Sequence, residues 1–384
     1  MIALHGQNGY SGDMQLSVLR SNERDPFINL AIEDWLFRGA AWRQRILLLY
    51  VNNPAVVIGR HQNPYVECDL SGMQRDGVPL VRRHSGGGGV YHDTGNLNFC
   101  FLSPRHCYDE RDSFAIVQRA LQRIGVTALR SGRNDLLVDG RKISGSAFRI
   151  GRQAAFHHGT LLIETDLARL NRYLIPPPAQ ISSRGIDSVR SQVVNLRELV
   201  GKQTEPTTGK GHIAGDNQAG GSGGTVGGMA GGDQRGSGGI GEPLKNEQAL
   251  VCRELARAFV EFYGGGGGED ERDGAGDERG GTEYERGDAA GEHSGPADIL
   301  NIPKVSEADI DERARQYIRE LQGDEWRFGK TPPFTHTVGG NWDGWPVELA
   351  IEVRRARISR VTVSVGVGSH EGSSQESSQG SSGG

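Results

Sequence analysis

Apolar residues recur along the chain at two spacings, which together predict a mixture of helices and strands. After Asp25-Pro26, a pair typical of a helix start, apolar residues follow the helical spacing as far as Trp35. Asp139-Gly140 separates two β-rich runs and is a strong signal for a hairpin turn. The same criteria predict helices over 112–124 (capped by Asp112), 165–174, 246–263 and 307–322, and strands over 46–50, 55–58, 78–81, 96–102, 135–138, 141–144 and 154–163. Two more strands are predicted over 347–365, with a bend near Arg355-Ala356. Because these elements do not alternate as regular βαβ units, the predicted class is α+β with a mixed sheet.

Glycine is concentrated in three blocks that differ from the rest of the chain. Of the 58 glycines, 34 lie in 201–245, 264–296 and 366–384. Such Gly-rich sequence buries too little apolar surface to offset the entropy of ordering the chain. We therefore expect disordered insertions at 203–243 and 264–296, and a disordered tail at 367–384.

Charge and cysteine usage exclude several classes of protein. Ten acidic residues and three arginines lie within 269–292, so the rest of the chain is nearly neutral although the whole carries −5. The sequence has no basic patch or basic tail, which are the features expected of a nucleic-acid binding protein. The four cysteines lie at no metal-binding or redox spacing, which favours a reducing compartment and no structural zinc. No apolar run is long enough to span a membrane, and the first twenty residues show no clear signal peptide or presequence.

The densest chemical signal is RRHSGGGGVYHD at 82–93, between two predicted strands. Consecutive glycines bring backbone N–H groups close to a ligand with no Cβ in the way, which favours an anion and above all a phosphate. Arg82 and Arg83 add positive charge beside the run. The run lacks the Lys-Ser/Thr of a Walker A loop. The alternative is a flexible glycine hairpin.

Two further motifs carry chemistry. Lys142 lies in a strand of small residues, which leaves room for a phosphate or carboxylate to approach its ammonium group. The alternative is a solvated surface lysine. His157 and His158 are adjacent on a predicted strand, so their side chains face opposite ways and at most one of them can line a pocket.

Taken in order, these motifs resemble lipoate–protein ligase A and its eukaryotic lipoyltransferase relatives. The matching segments are Asn29-Leu30-Ala31-Ile32-Glu33, Val56-Val57-Ile58-Gly59-Arg60, Gln62-Asn63-Pro64, the glycine run, Lys142-Ile143-Ser144-Gly145-Ser146-Ala147, His157-His158-Gly159-Thr160-Leu161-Leu162, Ser188-Val189-Arg190-Ser191 and Trp326-Arg327-Phe328-Gly329-Lys330. The resemblance implies a catalytic domain of the biotin/lipoate-ligase type at 17–263 and a small C-terminal α/β domain at 297–366.

The resemblance also implies a reaction and a set of site residues. In this family the carboxylate of lipoate attacks the α-phosphate of ATP, and a lysine of a lipoyl domain then takes the acyl group from lipoyl-AMP. Lys142 is the expected catalytic residue, placed between the carboxylate and the α-phosphate. The expected ATP contacts are Arg83, Gly88, Gly89, Val90, Tyr91, Asp135 and Lys142. The expected contacts to lipoate or the adenylate are Ser85, His92, Lys142, Arg149 and His158. No metal-ligating residues are expected, although Mg²⁺ is expected to accompany ATP.

The expected acceptors are the lipoyl domains of 2-oxoacid dehydrogenase E2 subunits and of the glycine cleavage H protein. A monomer is expected, with no nucleic-acid or membrane partner, and a mitochondrial location if the protein is eukaryotic or a cytoplasmic one otherwise. Two alternatives stay open. One is a lipoyl or octanoyl transferase that uses a preactivated or carrier-bound acyl donor. The other is a lipoyl-domain binding protein without catalysis.

Overall fold

The computed structural model describes residues 10–11, 14–41, 43–132, 134–174, 180–189, 191–200, 242–264 and 302–366. Its strands are β1 (Tyr10–Ser11), β2 (Met14–Ser21), β3 (Gln44–Tyr50), β4 (Ala55–Ile58), β5 (Leu80–Arg82), β6 (Val90–His92), β7 (Asn96–Pro104), β8 (Leu129–Arg130), β9 (Asp135–Val138), β10 (Arg141–Ile150), β11 (Ala154–Leu162), β12 (Gln180–Ser183), β13 (Lys304–Val305), β14 (Phe334–Trp342), β15 (Trp345–Arg354) and β16 (Arg357–Val365). Its helices are α1 (Pro26–Gly39), α2 (Pro64–Glu67), α3 (Leu70–Arg75), α4 (Glu110–Arg123), α5 (Leu167–Tyr173), α6 (Glu242–Gly264), α7 (Glu312–Gln322) and α8 (Asp324–Arg327).

The chain forms two compact units, each assembled from three separate segments. The first unit comprises Met1–Pro54, His92–Leu167 and Arg190–Arg315. The second comprises Ala55–Tyr91, Ala168–Val189 and Gln316–Gly384. Most of 203–243 and 264–296, and all of 367–384, lie outside the described residues, so the predicted domain limits and disordered segments stay predictions.

A large mixed sheet forms the centre of the first unit. Its strand order is β1-β2-β3-β7-β11-β10-β9-β8, and β13 pairs with β2 at the side. The pair β2–β3 is parallel and is connected through α1, whereas the strands from β3 to β8 pair antiparallel. Helices α4 and α6 pack on each other, and the buried faces of both belong to the core that covers β3, β7 and β11. The α+β class with a mixed sheet is thereby confirmed.

Local signals in the sequence account for helix α1 and for the β9–β10 hairpin. Asp25 caps α1, because its side chain accepts hydrogen bonds from the backbone N–H groups of Phe27 and Ile28. Asp139 and Gly140 both have positive φ, 51° and 74°, and they join β9 to β10 as the predicted hairpin. Both predictions are confirmed.

The second unit contains two smaller sheets. One has the order β5-β4-β6, and the other is the antiparallel sheet β12-β14-β15-β16. A small core of Val56, Ile58, Met73, Leu80 and their neighbours packs under the first of these sheets. No helix among the described residues is long and apolar enough to cross a membrane.

Several sequence-based assignments differ from the structure, and three of them bear on the first unit's helices or on the longest strands. Helix α4 begins at Glu110 and its cap is Asp109, which accepts from the N–H of Arg111. Asp112 lies inside the first turn, where it is buried and accepts a hydrogen bond from Tyr263. Strands β2 and β14 were not predicted, because polar and glycine residues interrupt their alternation.

Candidate active site

Lys142 lies at an irregular point of β10 that turns its side chain toward β9. In the pairing with β9, Lys142 faces Leu137 and Ser144 faces Leu136, so Ile143 is the extra residue of a β-bulge. The bulge places Lys142 on the same sheet face as Asp135 and Gly145. The ammonium nitrogen of Lys142 lies 2.9 Å from Oδ1 of Asp135, and a Cβ at position 145 would lie only 3.0 Å from that nitrogen.

The backbone of Lys142 is held from the other side as well. Its N–H donates to the carbonyl of Gln192 at 2.7 Å, and its carbonyl accepts from Val194 at 3.0 Å. Ile143 is fully buried in the core, which anchors the bulge. With both backbone groups of Lys142 bonded and the Ile143 side chain buried, the bulge holds the backbone of Lys142 in place and leaves the Lys142 side chain 23 % exposed. Such a cation is already in position for an anionic ligand, so no rearrangement is needed when the ligand binds.

Arg149, further along β10, is positioned by helix α1. Its Nη1 lies 2.8 Å from Oδ1 of Asp34, and its guanidinium stacks 4.5 Å above the ring of Phe37. The same Asp34 carboxylate binds Arg38 at 2.6 Å. One carboxylate thus faces two guanidinium groups, which leaves net positive charge at this end of β10.

The adjacent histidines of β11 face opposite ways, as predicted. His157 is fully buried among the rings of Phe148, Phe114 and their neighbours, and neither of its ring nitrogens has a hydrogen-bond partner among the described residues. Burial, with the nearby charges of His158 and Arg130, lowers the pKa of His157 well below its ordinary value, so it is a neutral core residue.

His158 points to α1 instead, where Nδ1 lies 3.0 Å from Oε2 of Glu33. The Tyr50 hydroxyl donates to Oε1 of the same carboxylate at 2.8 Å. Glu33 is only 2 % exposed, so these donors replace the water that a carboxylate otherwise binds.

His92, at the end of β6, is held by a chain of amides. Nδ2 of Asn52 lies 2.9 Å from its Nδ1, and Oδ1 of Asn52 accepts from Asn29 at 2.7 Å. Sequence reasoning matched Asn29 and Glu33 to a family segment but assigned them no role. Their separation by four residues on an amphipathic helix was the available signal, since it puts both on one face.

The glycine run lies in the second unit, where Arg83 shapes it. The Arg83 guanidinium donates to the carbonyls of Gly86 at 2.6 Å and Gly88 at 2.8 Å, and to the hydroxyl of Ser85 at 3.0 Å. The positive φ of the run is at Gly87, 85°, and not at Gly88. By turning carbonyls toward its own guanidinium, Arg83 fixes the path of the loop.

The end of the glycine run contacts Ser188, whereas the two residues after it enter strand β6 and the small core. The N–H of Gly89 donates to the hydroxyl of Ser188 at 2.9 Å, and a Cβ at Gly88 would lie 3.0 Å from that hydroxyl. Val90 begins β6 and is partly buried, whereas the Tyr91 side chain is 1 % exposed and packs in the small core beside Tyr173. Tyr91 is therefore a core residue of the second unit, and its ring does not face the surface.

The structure places the predicted residues in two groups, each within one unit. Lys142, Asp135, His92, Arg149 and His158 belong to the first unit, and of these Lys142 and Asp135 are in direct contact. The second unit holds Arg83, Ser85, Gly88, Gly89, Val90 and Tyr91, and in it Arg83 contacts both Ser85 and Gly88. Within the described ranges no group of three or more His, Cys, Asp or Glu residues has the arrangement of a metal site.

The buried cysteines are poorly suited to act as nucleophiles. Burial raises the pKa values of Cys68 and Cys100, and it raises that of Cys252 to about 11. Because the thiolate is the reactive form, these thiols are largely unreactive at neutral pH. Cys252 also lies on the buried face of helix α6.

Comparison with known proteins gives a consistent family. Residues 25–214 match the family described as the lipoyl protein ligase A/B catalytic domain. Lipoate-protein ligase A of Psychrobacter cryohalolentis is 34 % identical over 351 residues, which cover 91 % of this chain and 83 % of that protein.

Two solved structures share the fold. The crystal structure of P. falciparum LipL1 in complex with lipoate has a TM-score of 0.55 and 23 % identity, over 91 % of this chain and 84 % of that one. A lipoate-protein ligase A bound with ATP has a TM-score of 0.50 and 21 % identity, over 83 % of this chain and all of that one.

Proposed function

The chain belongs to the lipoate–protein ligase A family, and we propose that it is the enzyme that joins lipoate to lipoyl domains at the expense of ATP. The observation that carries this function is the 34 % identity to a lipoate-protein ligase A across nearly the whole chain. The match includes the segment in which the bulge of β10 presents Lys142 beside Asp135.

The reaction has two steps. In the first, a carboxylate oxygen of lipoate attacks the α-phosphorus of ATP, the bond to the bridging oxygen of the β-phosphate breaks, and pyrophosphate leaves. In the second, the ε-amine of an acceptor lysine attacks the carbonyl of lipoyl-AMP. The bond from that carbonyl to the phosphate oxygen breaks, AMP leaves, and the amine loses a proton as the amide forms.

Lys142 is the residue that acts on the first step. Two anions must approach each other, and negative charge grows on the phosphate oxygens as the new bond forms. A fixed ammonium group lowers the energy of this approach and of the transition state. Asp135 holds that ammonium through the 2.9 Å contact and keeps it over Gly145.

The second unit supplies a loop suited to anionic oxygens. Its glycines have no Cβ that would keep a ligand from the backbone, and Arg83 holds the loop in shape through the carbonyls of Gly86 and Gly88. We assign the phosphates of ATP to this loop. We propose that Mg²⁺ accompanies ATP as part of the substrate.

We further propose the lipoyl domains of 2-oxoacid dehydrogenase E2 subunits and of the glycine cleavage H protein as acceptors, a monomeric enzyme, and a mitochondrial location in a eukaryote. These proposals rest on the resemblance to eukaryotic lipoyltransferases. Mass measurement of the native protein in solution tests whether it is a monomer. Imaging of the tagged full chain in cells tests the mitochondrial location.

The function is tested by the mass of an apo lipoyl domain after incubation with each of three donors. The donors are lipoate with MgATP, synthetic lipoyl-AMP, and an octanoylated carrier protein. A ligase modifies the acceptor with the first two donors. Modification from lipoyl-AMP or the carrier alone would indicate a transferase, and binding without modification from any donor would indicate a non-catalytic partner.

A further inference from the structure

Helix α1 carries two fully buried polar residues whose side chains lead to the two histidines of the proposed site. Asn29 is 0 % exposed and Glu33 is 2 % exposed, and one helical turn separates them. Buried polar groups are costly unless they are hydrogen-bonded, so each pairing here is specific. Resting on the proposed function, we infer that α1 holds His92 and His158 in opposite tautomers, with the proton of His92 on Nε2 and that of His158 on Nδ1.

The assignment for His158 follows from the carboxylate it faces. An ionised carboxylate only accepts hydrogen bonds. Glu33 lies 3.0 Å and 3.2 Å from Nδ1 of His158 through its two oxygens, and it also accepts from the Tyr50 hydroxyl at 2.8 Å. The ring nitrogen nearest the carboxylate therefore carries hydrogen, and in the neutral ring Nε2 is the acceptor.

The assignment for His92 follows from a chain of amides that starts at the backbone. Nδ2 of Asn29 donates to the carbonyl of Glu23 at 3.1 Å and to Oδ1 of Asn52 at 2.7 Å, so both of its hydrogens are used. With its oxygen turned to Asn29, Asn52 turns Nδ2 to His92, 2.9 Å from Nδ1. An amide nitrogen only donates, so Nδ1 accepts and the proton of the ring is on Nε2.

The two rings consequently differ in what Nε2 can do. In His92 this nitrogen donates, which suits an anionic carboxylate or phosphate oxygen. In His158 the neutral ring accepts at Nε2, which suits the proton that an attacking amine must lose. Asn29, Asn52 and Glu33 are positioning residues, because they act on the reaction only through these rings.

Imidazole ¹⁵N chemical shifts measured on the full chain labelled at histidine test the assignment directly. His92→Gln and His158→Gln variants identify the two sets of signals. Wild type is expected to show His92 protonated at Nε2 and His158 protonated at Nδ1. Signals that report the same tautomer for both rings, or the reverse of the assigned pair, would overturn the inference.

Asn52→Asp provides the matched test, because it keeps the shape of the side chain and replaces the donor with an acceptor. It is expected to move the His92 proton to Nδ1, leave His158 unchanged, and lower kcat/KM for lipoate at least about tenfold, since a wrong tautomer disables the ring. Asp34→Asn, an acid-to-amide change on the same helix that contacts Arg149 and Arg38, is expected to leave both tautomers in place.

Full activity in an Asn52→Asp protein whose His92 has changed tautomer would refute the positioning role. Glu33→Gln tests His158 separately, since it removes the charge opposite His158 and leaves the amides of Asn29 and Asn52 that hold His92. If wild type shows the assigned tautomers and yet forms no lipoyl product from any donor, the proposed function fails while the tautomer assignment is supported.

Discussion

At Gly145 the lack of a side chain leaves the space in which the ammonium of Lys142 lies. A Cβ built there would lie 3.0 Å from both Cε and Nζ of Lys142 and 3.8 Å from the Asp135 carboxylate. Gly145→Ala should therefore displace the lysine while adding only one methyl group to the strand. We expect the rate of lipoyl-AMP formation to fall about tenfold or more, with little change in melting temperature.

Gly39→Ala, at the exposed end of α1, is the control for the Gly145 change, because nothing lies within 4 Å of a Cβ at Gly39. It should keep near-normal adenylate formation. A Gly145→Ala protein as active as this control would show that the position of Lys142 over the glycine does not matter.

His157 makes the stability of the first unit sensitive to acid. Burial holds the pKa of His157 well below its ordinary value in the folded chain. In the unfolded chain the same imidazole binds a proton near pH 6.5, whereas in the folded chain it stays neutral at that pH. The free energy of unfolding should fall as the pH drops through that value, by up to about 1.4 kcal/mol per pH unit from this group. His157→Phe should reduce this loss, as measured by denaturant unfolding at pH 7.5 and pH 5.0.

A matched substitution at an exposed histidine, His106→Phe, should leave the pH dependence of unfolding as in wild type. Equal losses of unfolding free energy in wild type and His157→Phe between the two pH values would contradict the assignment.

The alternation rule predicted that only one of the two adjacent histidines could face a pocket. The four phenylalanines that surround His157 come from three segments, β7, α4 and β10, so which histidine is buried could not be predicted from local sequence.

Among the elements, strand β5 is tied to helix α8 and to the loop after β4 by one buried arginine. The Arg82 guanidinium donates to backbone carbonyls of Gln62 at 2.7 Å and Arg327 at 2.7 Å, among others, and the Trp326 indole donates back to the Arg82 carbonyl at 2.7 Å. Burial lowers the pKa of Arg82 to about 10, so the side chain stays charged at neutral pH.

Arg82→Lys should destabilise the protein although it preserves the charge. Lysine has three donors on one nitrogen, whereas Arg82 donates from three nitrogens to carbonyls of separate segments. We expect a loss of about 2–4 kcal/mol in unfolding free energy, from two or more carbonyls left without a partner. The exposed Arg60→Lys is the control, and equal stability of the two variants would mean that the carbonyls find other donors.

Elements with strong local signals were predicted, whereas those that depend on distant partners were not. The cap at Asp25 and the Asp139-Gly140 turn act within a few residues, so the sequence alone identified α1 and the β9–β10 hairpin. The contact of Lys142 with Asp135 depends on the extra residue Ile143, whose position is decided by its burial in the core. Motif matching found Lys142 but could not show what holds it.

On the scale of the whole molecule, the Gly-rich segments before and after α6 are expected to be dispensable. Helix α6 is itself part of the core, with Leu255 and Phe259 buried. Removing 206–240 and 266–294 shortens two connections of about 40 residues each to fewer than ten, which lowers the loop-closure cost by about 1.5 kcal/mol per connection. The melting temperature should therefore stay the same or rise by several degrees, and lipoylation should be retained.

Leu255→Asp, which puts a charge into the core that α6 covers, is the destabilising comparison for these deletions. Loss of soluble protein in the deletion variant, comparable to that in Leu255→Asp, would show that the Gly-rich segments contribute to the fold.

Lipoate-dependent exchange of pyrophosphate into ATP measures the activation of lipoate that we assign to Lys142. The exchange reports the first step alone and needs no acceptor protein. We predict exchange by wild type that requires lipoate, and a loss of at least about a hundredfold in Lys142→Ala at unchanged melting temperature, because a positioned cation at a developing phosphate charge contributes several kcal/mol. Exchange by Lys142→Ala within twofold of wild type, or no lipoate-dependent exchange by wild type, would contradict the account.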